Sequence, residues 1–114
     1  MEYSEHKPIY LQNVDLMQEK ILRDEWREEE RIPSVREMGA MVGVNPNTIV
    51  RSYQLLEQQE IIYNKRGFGY FVKEGAVARI KENAKREFIT SELPQFKAKA
   101  EMLGITKEEL IKLL

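Results

Sequence analysis

The sequence predicts a mainly α-helical fold with one small β-hairpin, which belongs to the α+β class. Three observations predict it: paired helix start and stop signals between residues 32 and 51, two short β-prone runs around a glycine turn, and apolar residues that recur at helical spacing on either side. We expect residues 1–74 to form one domain and residues 75–114 to form a short helical tail.

An amphipathic helix is predicted to begin near Pro8. Its apolar residues follow one another at spacings of four, three and four positions, which places them on one helix face: Tyr10, Val14, Met17 and Ile21. That face is expected to pack inward. The acidic run Glu28-Glu29-Glu30 comes after this helix, and we interpret it as a solvated corner.

Two shorter helices are predicted next, joined by a tight turn. Ser34 and Glu37 have the spacing of a capping box, so the second helix should begin at Ser34. Gly43 supplies a left-handed stop, Asn45 can cap the third helix, and Pro46 suits the first helical position because a missing N–H costs nothing there. The third helix should run to about residue 59. This pattern is typical of a helix-turn-helix, whose later helix enters the DNA major groove.

A β-hairpin is predicted directly after the third helix. The β-prone runs 61–64 and 68–72 flank Lys65, Arg66 and Gly67, and a glycine is the natural residue for a turn position with positive φ. A helix-turn-helix followed by a basic-tipped hairpin is a winged helix. An ordinary small α/β domain with a charged surface turn is the alternative, but the order of cap, turn glycine, polar helix start and basic wing favours DNA binding.

The polar side chains that open the third helix, or lie opposite its apolar face, are the candidates for base recognition. Arginine can donate two hydrogen bonds to guanine, asparagine pairs with adenine, and a threonine methyl group can meet a thymine methyl group. Some of these side chains could instead contact only phosphate. The candidates on the helix are Asn45, Asn47, Thr48, Arg51 and Gln54, and those on the wing are Lys65, Arg66 and Gly67.

Four stretches resemble the DNA-binding domain of the GntR family of bacterial transcription regulators. They are residues 7–12, 33–38, 43–49 and 51–57. With only about forty residues after the wing, the chain also resembles the YtrA subfamily, in which the tail is a pair of helices used for dimerisation.

This resemblance implies a DNA contact for Arg36, at the start of the second helix. The alternative is a surface arginine paired with Glu37 or with an acid of the first helix. The chain also departs from the family, because many members have an arginine where this sequence has Pro46 and another near Val50. Asn47, Thr48 and Arg51 must then provide more of the discrimination between bases.

The tail contains apolar residues in a heptad-like register and is interrupted by Pro94, where we expect a bend or a break. Gly104 ends that segment, and Thr106 with Glu109 forms a second capping box. So small a tail cannot enclose its own core, so we expect a symmetric partner to cover it, with packing on its own winged helix as the alternative. The candidate dimerisation residues are Val77, Ile80, Ala84, Phe88, Ile89, Leu93, Phe96, Leu103, Leu110 and Leu113.

Composition excludes several classes of protein. The chain has 42% hydrophobic residues and 32% charged residues, no cysteine, and no apolar run of the roughly twenty residues that would span a membrane. The acidic N-terminus is unlike a secretory signal, so a cytoplasmic location is expected. The one histidine, His6, is a poor metal ligand or general base near a chain end. We therefore expect no enzymatic activity, no metal and no cofactor.

The net charge of −1 is low for a DNA-binding protein, which suggests that two protomers act together. The sequence thus predicts a homodimeric, sequence-specific transcription regulator, a repressor, bound to double-stranded DNA at an inverted-repeat operator. Two alternatives stay open. One is a switch that responds to a small-molecule effector at the tail or dimer junction. The other is a winged-helix module that binds proteins without DNA.

Overall fold

A computed structural model describes residues 7–114; His6 lies outside the described residues. Its elements, in chain order, are α1 (Ile9–Leu22), α2 (Val35–Val42), α3 (Pro46–Gln58), β1 (Ile62–Lys65), β2 (Gly69–Val72), α4 (Ala76–Glu87), a π-helical segment (Phe88–Glu92), α5 (Leu93–Met102) and α6 (Lys107–Leu113). The predicted mainly helical fold with one hairpin is confirmed. No helix among the residues described is both long and apolar enough to cross a bilayer.

The chain divides into two compact units, one ending at Ile80 and the other beginning at Lys81. This division falls within α4 and not at the expected junction of residues 74 and 75. The physical reason is burial: Ala76 and Ile80 are almost fully buried in the core of the first unit. That core also contains apolar side chains of α1, α2, α3 and the hairpin, among them Met17, Met38, Tyr53 and Val72.

The first unit therefore takes two residues that we expected in the dimer interface. Ile80 is 3% exposed and belongs to the hydrophobic core of the first unit, and Val77 is half-buried against that core. Assigning Ile80 to an interface with a partner is wrong, because the side chain has no surface left to bury. The apolar spacing marked the inward face of α4 correctly, but spacing does not say what covers that face.

Local capping sets the limits of the helix-turn-helix. The Ser34 hydroxyl accepts from the Glu37 N–H at 3.1 Å, while the Glu37 carboxylate accepts from the Ser34 N–H, so the predicted capping box is present. Gly43 ends α2 with φ +68°, as predicted. Gly39 lies against the turn so closely that a Cβ atom there would be 2.8 Å from the Val44 carbonyl oxygen.

The wing is an antiparallel pair in which Ile62 lies opposite Val72 and Lys65 lies opposite Gly69. The Phe68 N–H donates to the Lys65 carbonyl at 2.8 Å, and Gly67 has φ +84°, so the turn uses the predicted glycine. A third segment joins the edge of β2, because the Ile32 N–H donates to the Tyr70 carbonyl at 2.9 Å.

The acidic corner is not simply solvated, as we had interpreted it. The Glu29 carboxylate accepts from the Tyr63 hydroxyl at 3.0 Å and from the Glu74 N–H at 3.2 Å, and the Glu28 carboxylate accepts from the Gly75 N–H. Two of the three acids therefore tie the segment after α1 to the backbone just before α4. This contact joins residues more than forty positions apart, which a local charge pattern cannot indicate.

The second unit consists of the remainder of α4, the π-helical segment, α5 and α6. Pro94 has no N–H to offer the carbonyl of Thr90, four residues earlier, and its ring would crowd that carbonyl in a regular α-helix. Pro94 lies in the first turn of α5, after the wider π-helical turn of Phe88–Glu92. The helix therefore continues through a π-helical turn and does not break at Pro94. The predicted second capping box of Thr106 and Glu109 is present.

Most apolar side chains of the second unit are exposed. Ala100 is buried at 6% exposure, and Ile105 and Leu110 are half-buried. The remaining candidate dimerisation residues are all exposed: Ala84, Phe88, Ile89, Leu93, Phe96, Leu103 and Leu113.

Candidate nucleic-acid interface

Helix α3 has a buried side and a polar side. Ile49, Ser52, Tyr53 and Leu56 are at most slightly exposed, and they anchor the helix in the core. The candidate base-recognition residues lie at intervals of one, three and three positions on the other side: Asn47, Thr48, Arg51 and Gln54. All four are exposed or half-exposed, so the structure brings these predicted residues together on one accessible helix face.

An open groove runs along the first half of that face. Its volume is about 410 Å³, and it lies between α3 and the start of α1, with a lining formed by Pro8, Ile9, Tyr10, Asn47, Thr48 and Arg51. The Arg51 guanidinium carbon lies 3.9 Å from the centroid of the Tyr10 ring. Helical spacing predicted Tyr10 on the inward face of α1 but could not predict this contact, because residues forty-one positions apart share no local pattern.

Asn45 has a structural role that limits its predicted contact with DNA. Its side-chain oxygen accepts from the Asn47 N–H at 2.8 Å and so caps α3. The cap fixes the orientation of the Asn45 amide, so its nitrogen and the second lone pair of its oxygen can meet a base only in that one orientation.

Arg36 is exposed in the first turn of α2. No carboxylate among residues 7–114 lies within ion-pair distance of its guanidinium. The Glu37 carboxylate is already engaged, because hydrogen bonds from the Ser34 backbone and side chain lower the pKa of Glu37 below its usual range. The alternative in which Arg36 pairs with Glu37 is therefore absent from the structure.

Lys65, Arg66 and Gly67 are exposed at the tip of the wing. The Lys65 ammonium group lies 4.8 Å from the centroid of the Phe68 ring, and Phe68 is 63% exposed. From the sequence, Phe68 was predicted only as a strand residue. An aromatic residue next to a turn glycine was the signal that could have marked it as an exposed part of the wing tip.

Arg31 is a further basic residue that sequence reasoning missed. It forms an isolated antiparallel bridge with Phe71, and its Nε atom would lie 3.1 Å from a Cβ atom built on Gly69. Lys65 is the partner of Gly69 on the other strand of the hairpin, so basic residues occupy the segments on both sides of this glycine. This arrangement depends on strand pairing across the edge of β2, which no spacing in the sequence revealed.

Apart from Arg79, which is half-buried and donates to the backbone carbonyls of Glu60 and Glu74, the basic residues of the first unit fall into two groups. One group forms ion pairs with nearby acids: Lys7, Lys20, Arg23, Arg27 and Lys73. The second group has no ion pair within the described part of the chain, and all its members are exposed: Arg31, Arg36, Arg51, Lys65 and Arg66. Acids therefore pair with the bases of the first group, while unpaired cations remain on the helix-turn-helix, on the wing and at Arg31.

Nothing within residues 7–114 forms a cluster of three or more metal-ligating side chains. The tyrosines with shifted pKa values have structural explanations. Burial raises the pKa of Tyr53, and burial is also the first cause of the raised pKa of Tyr70. The Tyr53 hydroxyl donates to the backbone carbonyl of Pro33 at 2.6 Å, so this buried group has a structural partner.

Comparison with known proteins places the chain among transcription regulators. It is 38% identical to the HTH-type transcriptional regulator YhcF of Bacillus subtilis over 112 residues, which cover 96% of this chain and 89% of that protein. It is 34% identical to the HTH-type transcriptional repressor YtrA of Bacillus subtilis, covering 90% of this chain and 78% of that protein. The similarity to YtrA agrees with the short-tailed subfamily that the sequence resembles.

Solved structures agree with this assignment. A protein from Bacteroides thetaiotaomicron that is assigned to the GntR family superposes with a TM-score of 0.82 at 43% identity, covering 93% of this chain and 92% of that one. The DNA-binding domain of AraR in complex with operator ORR3 superposes with a TM-score of 0.57 at 25% identity, covering 63% of this chain and 87% of that one. Residues 9–72 match the gntR family of bacterial regulatory proteins. The chain belongs to this family of DNA-binding transcription regulators, which are not enzymes.

Proposed function

We propose that the protein is a dimeric, sequence-specific repressor that binds an inverted-repeat operator in the cytoplasm. The observation that supports it most directly is the separation of charge in the first unit. Cations on α2, α3 and the wing have no acidic partner within residues 7–114, whereas the bases of α1 and the following turn are paired. Unpaired, exposed cations at those positions can neutralise phosphates and hold α3 in the major groove.

In this mechanism α3 supplies base recognition through Asn47, Thr48, Arg51 and Gln54. Arg36 and the wing cations bind the DNA backbone on either side of that helix. Such contacts fix the orientation of the domain, and the side chains on α3 then discriminate between base pairs. AraR, which superposes on this chain, is bound to operator DNA through its own DNA-binding domain, and the similar protein YtrA is a repressor. Both relationships favour DNA over the alternative of a protein-binding module.

Dimerisation is proposed from the apolar surface of the second unit. A groove of about 480 Å³ on this unit has an almost entirely apolar lining: Phe96, Lys99, Ala100, Leu103, Ile105, Leu110, Leu113 and Leu114. Lys99 is the one charged residue in that lining. Further exposed apolar side chains occur in the same unit, including Phe88, Ile89 and Leu93. Apolar surface of this extent is unfavourable in water, and a second copy of the same unit can cover it through a two-fold symmetric contact.

A matched pair of variants tests the dimer. Phe96→Asp places a charge among the apolar side chains and should give a monomer in sedimentation equilibrium, while Lys97→Asp on the neighbouring exposed position should remain dimeric. Circular dichroism should show equal helix content in both. A monomeric wild-type protein, or equal dissociation constants for the two variants, would contradict the proposed interface.

The operator is tested by selecting bound fragments from random duplex DNA at a stated salt concentration. The expected result is an inverted repeat whose half-sites are separated by about one helical turn or a multiple of it. Recovery of single, unpaired half-sites would remove the two-fold operator from the proposal. Recovery of no common sequence would remove sequence-specific binding as well.

An effector-responsive switch is the second candidate, and one observation favours it. The apolar groove of about 480 Å³ on the second unit lies within the size range of small-molecule sites. Thermal melting of the protein against a panel of metabolites distinguishes the two candidates. A ligand that raises the melting temperature and also weakens operator binding supports the switch.

A further inference from the structure

The Arg51 guanidinium is stacked on the ring of Tyr10. The distance of 3.9 Å from the guanidinium carbon to the ring centroid is well within the range of about 6 Å in which cation–π attraction operates. Arg51 is exposed and has no carboxylate within ion-pair distance among residues 7–114. The aromatic ring is thus the contact that the structure provides for this cation.

The position of the ring is set by a separate contact. The Ser52 hydroxyl donates to the backbone carbonyl of Tyr10 at 2.7 Å, and Ser52 is fully buried. Ser52 directly follows Arg51, so the backbone of Tyr10 is tied to α3 beside the residue that its ring contacts. Because the anchor uses the backbone of Tyr10, replacing the Tyr10 side chain leaves the anchor in place.

A long arginine side chain loses much rotamer freedom when it binds a base. If that freedom is already restricted before DNA arrives, less entropy is lost on binding and the affinity for the correct site rises. Arg51 shares the groove on α3 with Asn47 and Thr48, so the stacked guanidinium is held on the same face as the other candidate base contacts.

We propose that Tyr10 is a positioning residue that holds Arg51 ready for base recognition. The stack makes the first turn of α1 a determinant of DNA specificity, although α1 lies outside the helix-turn-helix. The ring face provides the contact, so the Tyr10 hydroxyl is not required. This inference rests on the proposed function of α3 as the base-recognition helix.

The test compares Tyr10→Phe and Tyr10→Leu in the full chain. Dissociation constants are measured at one salt concentration on the selected operator duplex and on a scrambled duplex of the same composition. Tyr10→Phe keeps the ring and should match the wild type. Tyr10→Leu should weaken binding to the selected duplex about two- to fivefold, as expected for loss of an exposed cation–π contact, and leave binding to the scrambled duplex unchanged.

The same substitution in an Arg51→Ala background separates positioning from other roles. Tyr10→Leu should have no further effect there, because no guanidinium remains to be positioned. An equal loss in both backgrounds would mean that Tyr10 touches DNA itself or only supports the fold, and would overturn the inference. Tighter operator binding by Tyr10→Leu would also overturn it, because the ring would then hold Arg51 away from DNA.

Thermal unfolding of each variant controls for stability. A failure of the proposed function would be seen in the wild-type protein. If the wild type bound the selected and scrambled duplexes equally, α3 would not recognise bases. A wild-type preference that Tyr10→Leu leaves intact would overturn only the role of Tyr10.

Discussion

The hydroxyl of Tyr53 donates a hydrogen bond to the backbone carbonyl of Pro33 at 2.6 Å. Tyr53 is fully buried in α3, and Pro33 lies directly before the cap of α2. The Tyr53 ring also packs edge-on against the Tyr70 ring of β2, with 4.9 Å between the ring centroids. One side chain therefore joins α3 to the start of α2 and to the wing, the parts that together form the candidate DNA-binding surface.

Replacing Tyr53 with Phe should destabilise the first unit by about 1–3 kcal/mol, because the Pro33 carbonyl would lose its partner in a largely buried place. Urea unfolding monitored by circular dichroism measures this change. Tyr63→Phe is the matched control, since the Tyr63 hydroxyl bonds to Glu29 in an exposed position and its loss should change stability by less. Equal losses of unfolding free energy for the two variants would show that the hydrogen bond to the Pro33 carbonyl stabilises the protein no more than the exposed bond to Glu29.

Alkaline pH should destabilise the protein through the same residue. Burial raises the pKa of Tyr53 above its ordinary value of 10.0, so the folded state favours the protonated hydroxyl. The unfolded chain releases that proton above about pH 10, and stability should therefore be unaffected below pH 10 and fall as pH rises above it. Thermal melting of the wild type and Tyr53→Phe from pH 8 to pH 11 measures this. A melting temperature that falls equally in both proteins would assign the effect to other groups.

The helix-turn-helix could be predicted almost residue by residue, because its limits depend on local chemistry. The cap at Ser34, the left-handed stop at Gly43 and the proline at the start of α3 act within a few residues of each other. The contact of Arg51 with Tyr10 and the approach of Arg31 to Gly69 could not be predicted in the same way. They join segments far apart in the chain, and only the packed fold brings them together.

The tail shows a different limit of prediction from sequence. The spacing of its apolar residues correctly indicated helices, but it could not assign Ile80 to the core of the first unit, since periodicity identifies a face and not the surface that covers it. At Pro94 we expected a bend or a break, and the structure has a π-helical turn just before it. A π-helical turn and a break both accommodate a proline, and the choice depends on the neighbouring hydrogen bonds.

Gly39→Ala should destabilise the protein although alanine favours helices. The helix propensity gain of about 1 kcal/mol is opposed by a Cβ atom placed 2.8 Å from the Val44 carbonyl oxygen, which is backbone and cannot rotate away. We expect a net loss of about 1–2 kcal/mol and weaker operator binding, because α2 and α3 must move apart.

Ala40→Ser, at the next and exposed position of α2, serves as the control for Gly39→Ala and should change neither property appreciably. Urea unfolding and operator titration measure both variants. A Gly39→Ala protein as stable as the wild type would show that the turn can relax without cost.

Arg51→Ala should relax base preference. Loss of a base contact of this kind costs about 1–3 kcal/mol on the operator and little on random DNA. Competition binding with operator variants, each altered at one base pair, measures the change. An equal loss on operator and random duplex would show that Arg51 contacts only the backbone.

Lys65→Ala should behave differently because its proposed contact is phosphate. Binding should weaken on all sequences alike, and the slope of log affinity against log salt should fall by about one unit. Titrations on operator and random duplex over a range of salt concentrations measure that slope. A change confined to the operator would instead place Lys65 at a base edge.

Arg31→Ala should resemble Lys65→Ala, although Arg31 lies outside both the helix-turn-helix and the hairpin. Its guanidinium lies over Gly69, across from Lys65, and it is exposed without an ion pair among residues 7–114. A phosphate that approaches Gly69 would meet the Arg31 guanidinium, so losing this cation should lower the salt slope by about 0.9 on any duplex.

Arg27→Ala is the control for Arg31→Ala, because the Arg27 guanidinium is paired with Asp24 at 3.3 Å and should contribute little to the DNA contact. The two variants lose the same formal charge, so global electrostatics predicts the same effect for both. A difference in salt slope between them can arise only from where the charge lies. Identical slopes for the two variants would show that Arg31 acts through net charge alone and does not bind a phosphate.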